Sequence, residues 1–179
     1  VEVAWTPPAV GAYTVFAYVD PDNQIDEISE QNNMYPGDFA VREANLIWYV
    51  NTSVISSGNG RTPETAFRTI GEAWPYTYHG DSVQVAQGTY NEQISVPIGR
   101  HLIGAGSELT TIQGNGEGTT LYIGNSASIS GFTITGSGDS YWDAGIWIAD
   151  NASPIITNNR ITDNSMAIVG YCFNAPCSN

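Results

Sequence analysis

Short apolar dyads and triads return along the second part of this chain at nearly constant spacing, and that recurrence limits the folds open to it more than any other feature. Ile129 and Ile134 in "ISGFTI" align with Ile156 and Ile161 in "ITNNRI" at an offset of 27 residues, Ile123 aligns with Ile148 at 25, and Ile146 with Ile168 at 22. Gly, Asn, Ser and Thr fill the intervals, so the strands are too short and too glycine-punctuated for a sandwich meander. A period in the twenties with several short strands per period defines a β-solenoid, in which each coil buries its inward residues against the coils above and below. One coil cannot bury its own apolar side, so about three or more are needed. The larger offsets span an extra loop, "GDSYWD", from Gly138 to Asp143.

The first forty residues keep a different rhythm. In "GAYTVFAYVD" Tyr13, Val15, Ala17 and Val19 face one way and Thr14, Phe16 and Tyr18 the other, which is a strand and, with "YPGDFAV" further on, half of an antiparallel pair. The rhythm changes after Glu43, giving an expected division at 1–43 and 44–179. Just beyond it "IWYVN" reads as a short apolar strand. Thr62, Pro63 and Glu64 then stand in the order of an N-cap, a first helical position and a first-turn acid, while Ala66, Phe67, Ile70, Ala73 and Trp74 recur at spacings of three and four. The pattern predicts one short amphipathic helix over about 63–74.

Two resemblances follow from these stretches. "WTPPAVGAYTV" and "VDPDNQIDEISEQNN" resemble the C-terminal half of a CARDB-type domain, an immunoglobulin-like sandwich of bacterial surface proteins. The match covers some forty residues and lacks the first strands of such a sandwich. "YVN", "TPETAFRTIGEAW", "GDSVQVAQGTYNEQISV", "LIGAG", "TTIQG" and "PIITNNRITDN" resemble the N-terminal coils of right-handed parallel β-helix proteins of the pectate-lyase-like superfamily, in particular its DUF1565 and NosD-like members. Together they imply an all-β chain: a right-handed parallel β-helix with a short N-terminal capping helix, preceded by a partial immunoglobulin-like β-sandwich. The cap would shield the first coil from edge-to-edge pairing. A chain that starts in half a sandwich and stops in mid-repeat is expected to be a segment of a longer protein.

Charge narrows the partners. Eighteen acids face five arginines and no lysine, a formal net charge of −13, which repels phosphate backbones and anionic membranes and so disfavours nucleic acid. No run of about 18 apolar residues is present to span a bilayer. The two cysteines, Cys172 and Cys177, enclose "FNAP" and could close a disulfide or remain two thiols in a loop. With the high Ser, Thr, Asn and Gly content and absent lysine they point to an extracellular or cell-surface setting.

Several residues are candidates for chemistry. "DPDNQIDEISEQNN" fails the EF-hand template, since position 5 from Asp20 is Gln24 and position 6 is Ile25 rather than glycine. Two readings stay open: a Pro-Asp-Asn turn with an acidic edge, which is favoured, or a calcium site of another type made from Asp20, Asp22, Asp26 or Glu30. No cofactor is otherwise required. Tyr141, Trp142 and Asp143 in the inserted loop, with Trp147 beyond it, put aromatic rings beside a carboxylate and could stack on sugar rings; a decorated turn with a packed Trp is the structural alternative. Asp163 with Arg160 reads as a surface pair. Asn158 and Asn159 read as corner architecture, and because Gly131 and Phe132 are their counterparts one coil earlier, a ladder from them is expected to run forward. His79 and His101 have no metal-ligand spacing to another His or Cys. Nothing matches a catalytic motif of the superfamily.

The chain therefore reads as a non-catalytic extracellular segment with an adhesive, carbohydrate-associated or structural role, binding a polysaccharide or cell-surface glycan or associating with itself by β-strand addition into a filament. The alternative is a polysaccharide lyase or glycoside hydrolase with its active site in later coils.

Overall fold

The computed structural model describes residue 6, residues 9–18, 34–43 and 45–170 of the 179. These fall into two compact units, Val1–Ala44 and Asn45–Asn179. In the first, strand β1 (Gly11–Tyr18) pairs antiparallel with β2 (Met34–Val41) over eight residue pairs, from Gly11 opposite Val41 to Tyr18 opposite Met34. The Tyr13 hydroxyl donates to the Ala9 carbonyl at 2.7 Å and anchors the start of the hairpin. The acidic residues Asp20, Asp22, Asp26 and Glu30, like Cys172 and Cys177, lie outside the described residues.

The second unit is a parallel β-solenoid. Its four rungs run β4 (Ser82–Val85), β5 (Gly88–Asn91), β6 (Ile94–Val96); β7 (His101–Gly104), β8 (Thr110–Gln113), β9 (Leu121–Ile123); β10 (Ser128–Ser130), β11 (Thr133–Thr135), β12 (Ala144–Ile148); and β13 (Ile155–Thr157), β14 (Arg160–Ile161), β15 (Met166–Gly170). Strand β3 (Ile47–Val50) pairs with β4 at one end. Equivalent strands stack into three parallel sheets: β3-β4-β7-β10-β13, β5-β8-β11-β14 and β6-β9-β12-β15.

The repeat read from the sequence is the strand register. Ile129 lies opposite Ile156, Ile134 opposite Ile161, Ile123 opposite Ile148 and Ile146 opposite Ile168. Each strand is long enough for one or two inward side chains, and these align from rung to rung: Val83, Leu102 and Ile129 in the first sheet; Tyr90, Ile112 and Ile134 in the second; Ile94, Leu121 and Ile146 in the third. All nine are buried. Each contributes roughly 1.5–3 kcal/mol of burial, and no rung supplies that on its own because half of every contact comes from its neighbour.

The corner between the first and second sheets decides how tightly the rungs stack. Gly131 takes φ +81° there, and a Cβ on it would lie 2.6 Å from the Gly104 carbonyl oxygen, so only glycine allows this approach. One rung later Asn158 takes φ 55° at the same corner, a conformation asparagine tolerates. The asparagine next to it runs opposite to expectation. Asn159 reaches back one rung, its Oδ1 accepting from the Phe132 N–H at 3.0 Å and its Nδ2 donating to the Ile129 carbonyl at 3.0 Å. Phe132 is buried and leaves its backbone N–H open at this corner, so an amide in the next rung completes it. Asn164 repeats the device, accepting from Ser137 N–H and donating to the Ile134 and Thr162 carbonyls.

The capping segment is present, but it is two 3-10 turns rather than one helix over 63–74. Thr62 caps the first, Pro63–Thr65, its hydroxyl accepting from Thr65 N–H while its own N–H donates to Thr65 Oγ1. The chain then extends at Ala66 (ψ 153°), and Phe67 joins β3 edge to edge, with Phe67 N–H donating to Tyr49 and Asn51 N–H donating to Phe67. Strand pairing at Phe67 withdraws its backbone from any helical ladder. The second turn, Gly71–Tyr76, contains Pro75, which has no N–H to extend an α-helix. The apolar spacing still selects the buried face: Ala66, Phe67, Ile70 and Ala73 are all buried. Two carboxylates bind this segment to the solenoid. Glu92 accepts from Ile70 and Gly71 N–H, and buried Asp81 accepts from Leu46 N–H, Tyr78 N–H and the Trp48 indole N–H.

Candidate functional site

The inserted loop between β11 and β12 projects from the third sheet as a braced platform. Gly138 N–H donates to the Gly118 carbonyl of the preceding rung, while Ser165 N–H donates to Ser137 Oγ, Ser165 Oγ to the Ser140 carbonyl and Met166 N–H to the Asp143 carbonyl from the following one. Inside the loop Ser140 and Asp143 close a turn on each other: Ser140 N–H donates to Asp143 Oδ2 at 3.0 Å, and Asp143 N–H donates to the Ser140 carbonyl at 2.9 Å. Asp143 Oδ2 sits against Gly138 where any Cβ would overlap it. The turn forces the two residues between its ends outward.

Those residues are Tyr141, 73% exposed, and Trp142, 53% exposed. Their rings meet edge to face with centroids 4.8 Å apart, and Trp142 in turn stands 6.5 Å from Trp147 at 66°. Trp147 lies on β12 between inward Ile146 and Ile148, so its ring faces out, and it is half-buried. Its register partner on β9 is Tyr122, 45% exposed. Tyr141, Trp142 and Trp147 thus form a ridge of touching rings on the outer face of the third sheet, and Tyr122 is the next exposed ring, one strand, about 4.8 Å, away.

Sequence reasoning named three of these four aromatics and missed Tyr122. The signal was at hand, because aligning Ile123 with Ile148 places Tyr122 beside Trp147. The loop joins two candidate roles: it is a braced turn, and its aromatics are nevertheless displayed. Asp143, by contrast, is engaged within the turn, its Oδ2 accepting from Ser140 N–H.

Arg160 belongs to β14 of the second sheet, opposite Thr133, not to the ridge. Its expected pairing with Asp163 does not form; the Asp163 carboxylate accepts instead from the Thr162 hydroxyl at 3.2 Å, at a corner where Asp163 takes φ 53°. His101 lies on β7 with Nδ1 2.9 Å from Ser128 Oγ. Among the described residues no group of three or more His, Cys, Asp or Glu is placed to hold a metal ion. No helix among them is long and apolar enough to cross a membrane.

By fold, the second unit is a parallel β-helix, and the part before it carries a CARDB match. Residues 1–36 match the CARDB family model, and residues 98–175 match the model described as Protein of unknown function (DUF1565). Among solved structures the chain is similar to pectin methylesterase PemA from Erwinia chrysanthemi, with TM-score 0.46 and 15% identity, over 73% of this chain and 50% of that one. The chain thus spans about half the length of that structure. No curated protein matches it.

Proposed function

We propose that this chain is a non-catalytic, carbohydrate-associated segment that works outside the cell and holds glycan on the ridge of Tyr122, Tyr141, Trp142 and Trp147. The observation that carries this reading is the pair Tyr141–Trp142, more than half exposed and held in place by hydrogen bonds to the rungs on both sides. Large rings are normally buried for the free energy they gain; a braced loop that displays two of them is arranged for contact with an apolar face, and the C–H face of a sugar ring is one. The extracellular part of the reading rests on the CARDB match at residues 1–36 and the resemblance of that segment to bacterial surface modules.

Affinity electrophoresis against neutral and acidic polysaccharides tests it. Retardation by at least one glycan, reduced about tenfold in association constant by Trp142→Ala, is the expected result; a tenfold change corresponds to about 1.4 kcal/mol. Absence of retardation by every glycan would remove the reading. Sustained release of reducing or unsaturated ends, abolished by Asp143→Ala, would replace it with the enzymatic one.

A further inference from the structure

A concave site lies on a different sheet. Over the first three strands of the first sheet, the outer face carries a cleft of about 290 Å³. Tyr49, Gln84 and Ile103 line it as one outward column, each opposite the next in strand register. Pro63 of the capping segment also lines it, and Ala86 and Ala105, just past the ends of β4 and β7, leave it open by being small.

The cleft is preformed. Tyr49 N–H donates to the Gly60 carbonyl at 2.9 Å and Asn51 N–H to Phe67 at 2.8 Å, so the segment that carries Pro63 is tied down at both ends; Ala86 N–H donates to Val50 at 2.8 Å. A rigid, largely apolar concavity with few polar groups is the form small-molecule sites take, and its volume is at the lower end of their range, room for about one ring.

Its chemistry restricts the ring. Every lining residue is uncharged, on a chain of net charge −13. Anions are repelled by the surrounding field, and a cation would find no carboxylate inside. Among the described residues none hydrogen-bonds the Tyr49 hydroxyl or the Gln84 amide. An apolar floor with the Tyr49 hydroxyl, the Gln84 amide and the Asn51 Nδ2 at its edge suits a ligand with a C–H face and a hydroxyl-bearing edge. We infer that the Tyr49–Gln84–Ile103 cleft binds a single neutral pyranose unit of a glycan, independently of the aromatic ridge.

Saturation-transfer NMR and amide-shift titration of this chain decide the matter, with methyl β-glucoside, methyl β-galactoside and methyl α-mannoside as neutral probes and galacturonate as the anionic one. At least one neutral glycoside should shift the amides of Gln84 and Ile103. Ala105→Trp, which fills the cleft from an exposed position, should weaken that binding at least tenfold, and Gln84→Ala should weaken it measurably, while Trp142→Ala leaves it unchanged. Should Ala105→Trp fail to fold by circular dichroism, Gln84→Ala decides alone. The inference is overturned if no neutral glycoside shifts those amides, if galacturonate binds as well, or if the cleft variants bind like the parent. Loss in Trp142→Ala with retention in the cleft variants would assign the sugar to the ridge instead.

Discussion

The side-chain amide of Asn159 supplies, for the preceding rung, the hydrogen-bond partner that the Phe132 N–H would otherwise lack, and adds a donor to the Ile129 carbonyl. One residue thereby closes a corner that it does not belong to. Removing it leaves the backbone N–H of a buried phenylalanine open. Asn159→Ala should therefore cost about 1–3 kcal/mol, read as a lower urea midpoint with unchanged slope. Asn158→Gly should cost much less, because glycine accepts the same positive φ; equal losses in the two variants would refute this account of the corner.

Asp81 is buried and serves three donors: Leu46 N–H just before β3, the Trp48 ring on β3, and Tyr78 N–H after the second turn. Asp81→Ala orphans all three at once and should loosen the capped end before the rest of the solenoid unfolds. Hydrogen exchange is the measurement: amides of Leu46 and Tyr78 should lose protection while those of Ile112 and Ile134 keep theirs. Uniform loss along the solenoid would show that the end is not a separate unit of stability.

Loop geometry should depend on Gly138. A methyl group there collides with Asp143 Oδ2, so Gly138→Ala should break the Ser140–Asp143 closure and release the two rings. The same methyl would lie 2.7 Å from the Gly118 backbone nitrogen of the preceding rung, so the expected reading is a red-shifted, more quenchable tryptophan emission together with a lower thermal midpoint. If emission stays as in the parent, Asp143 is not what sets the ridge.

Acid sensitivity has a local source at the cap. The Glu72 carboxyl lies below its usual range chiefly because the Ser57 hydroxyl donates to it, helped by the N–H groups of Thr69 and Arg68 and opposed by slight burial. A carboxylate whose native pKa is depressed adds stability above its unfolded pKa, about 4.3, and loses it as pH falls through the lower native value. The contribution is small, since the group is exposed and screened. Denaturation midpoints measured at neutral pH and at about pH 3 should converge in part for Glu72→Gln relative to the parent; an unchanged pH dependence would deny Glu72 this role.

For the acidic stretch from Asp20 to Glu30, the turn reading expects no calcium response. Calorimetry with calcium and with chelator should give the same midpoint for the parent and for an Asp20→Ala, Asp22→Ala double variant. A rise of several degrees in the parent alone would instead assign a metal site there.

The isoleucine offsets carried the solenoid because stacking demands it: an inward residue that cannot be buried within its own rung must recur at the next, and Ile129, Ile134, Ile146 and Ile148 do so. The same logic made the buried face of the cap legible at Ala66, Phe67, Ile70 and Ala73. Spacing could not say that this segment breaks at Phe67, since the break is imposed by pairing with β3, a partner some seventeen residues away. The direction of Asn159, the position of Arg160 on a sheet away from the ridge, and the cleft beside Tyr49 depend likewise on which rungs lie side by side. What the sequence by itself determined is the periodicity, hence the inward columns and the coil; what only the tertiary structure decided is every contact made across rungs by outward and corner side chains. The reason is physical: burial is a property of each residue's own polarity and repeats with it, whereas a hydrogen bond or a ring contact between rungs belongs to two residues about 25 positions apart, and neither carries a local mark of the other.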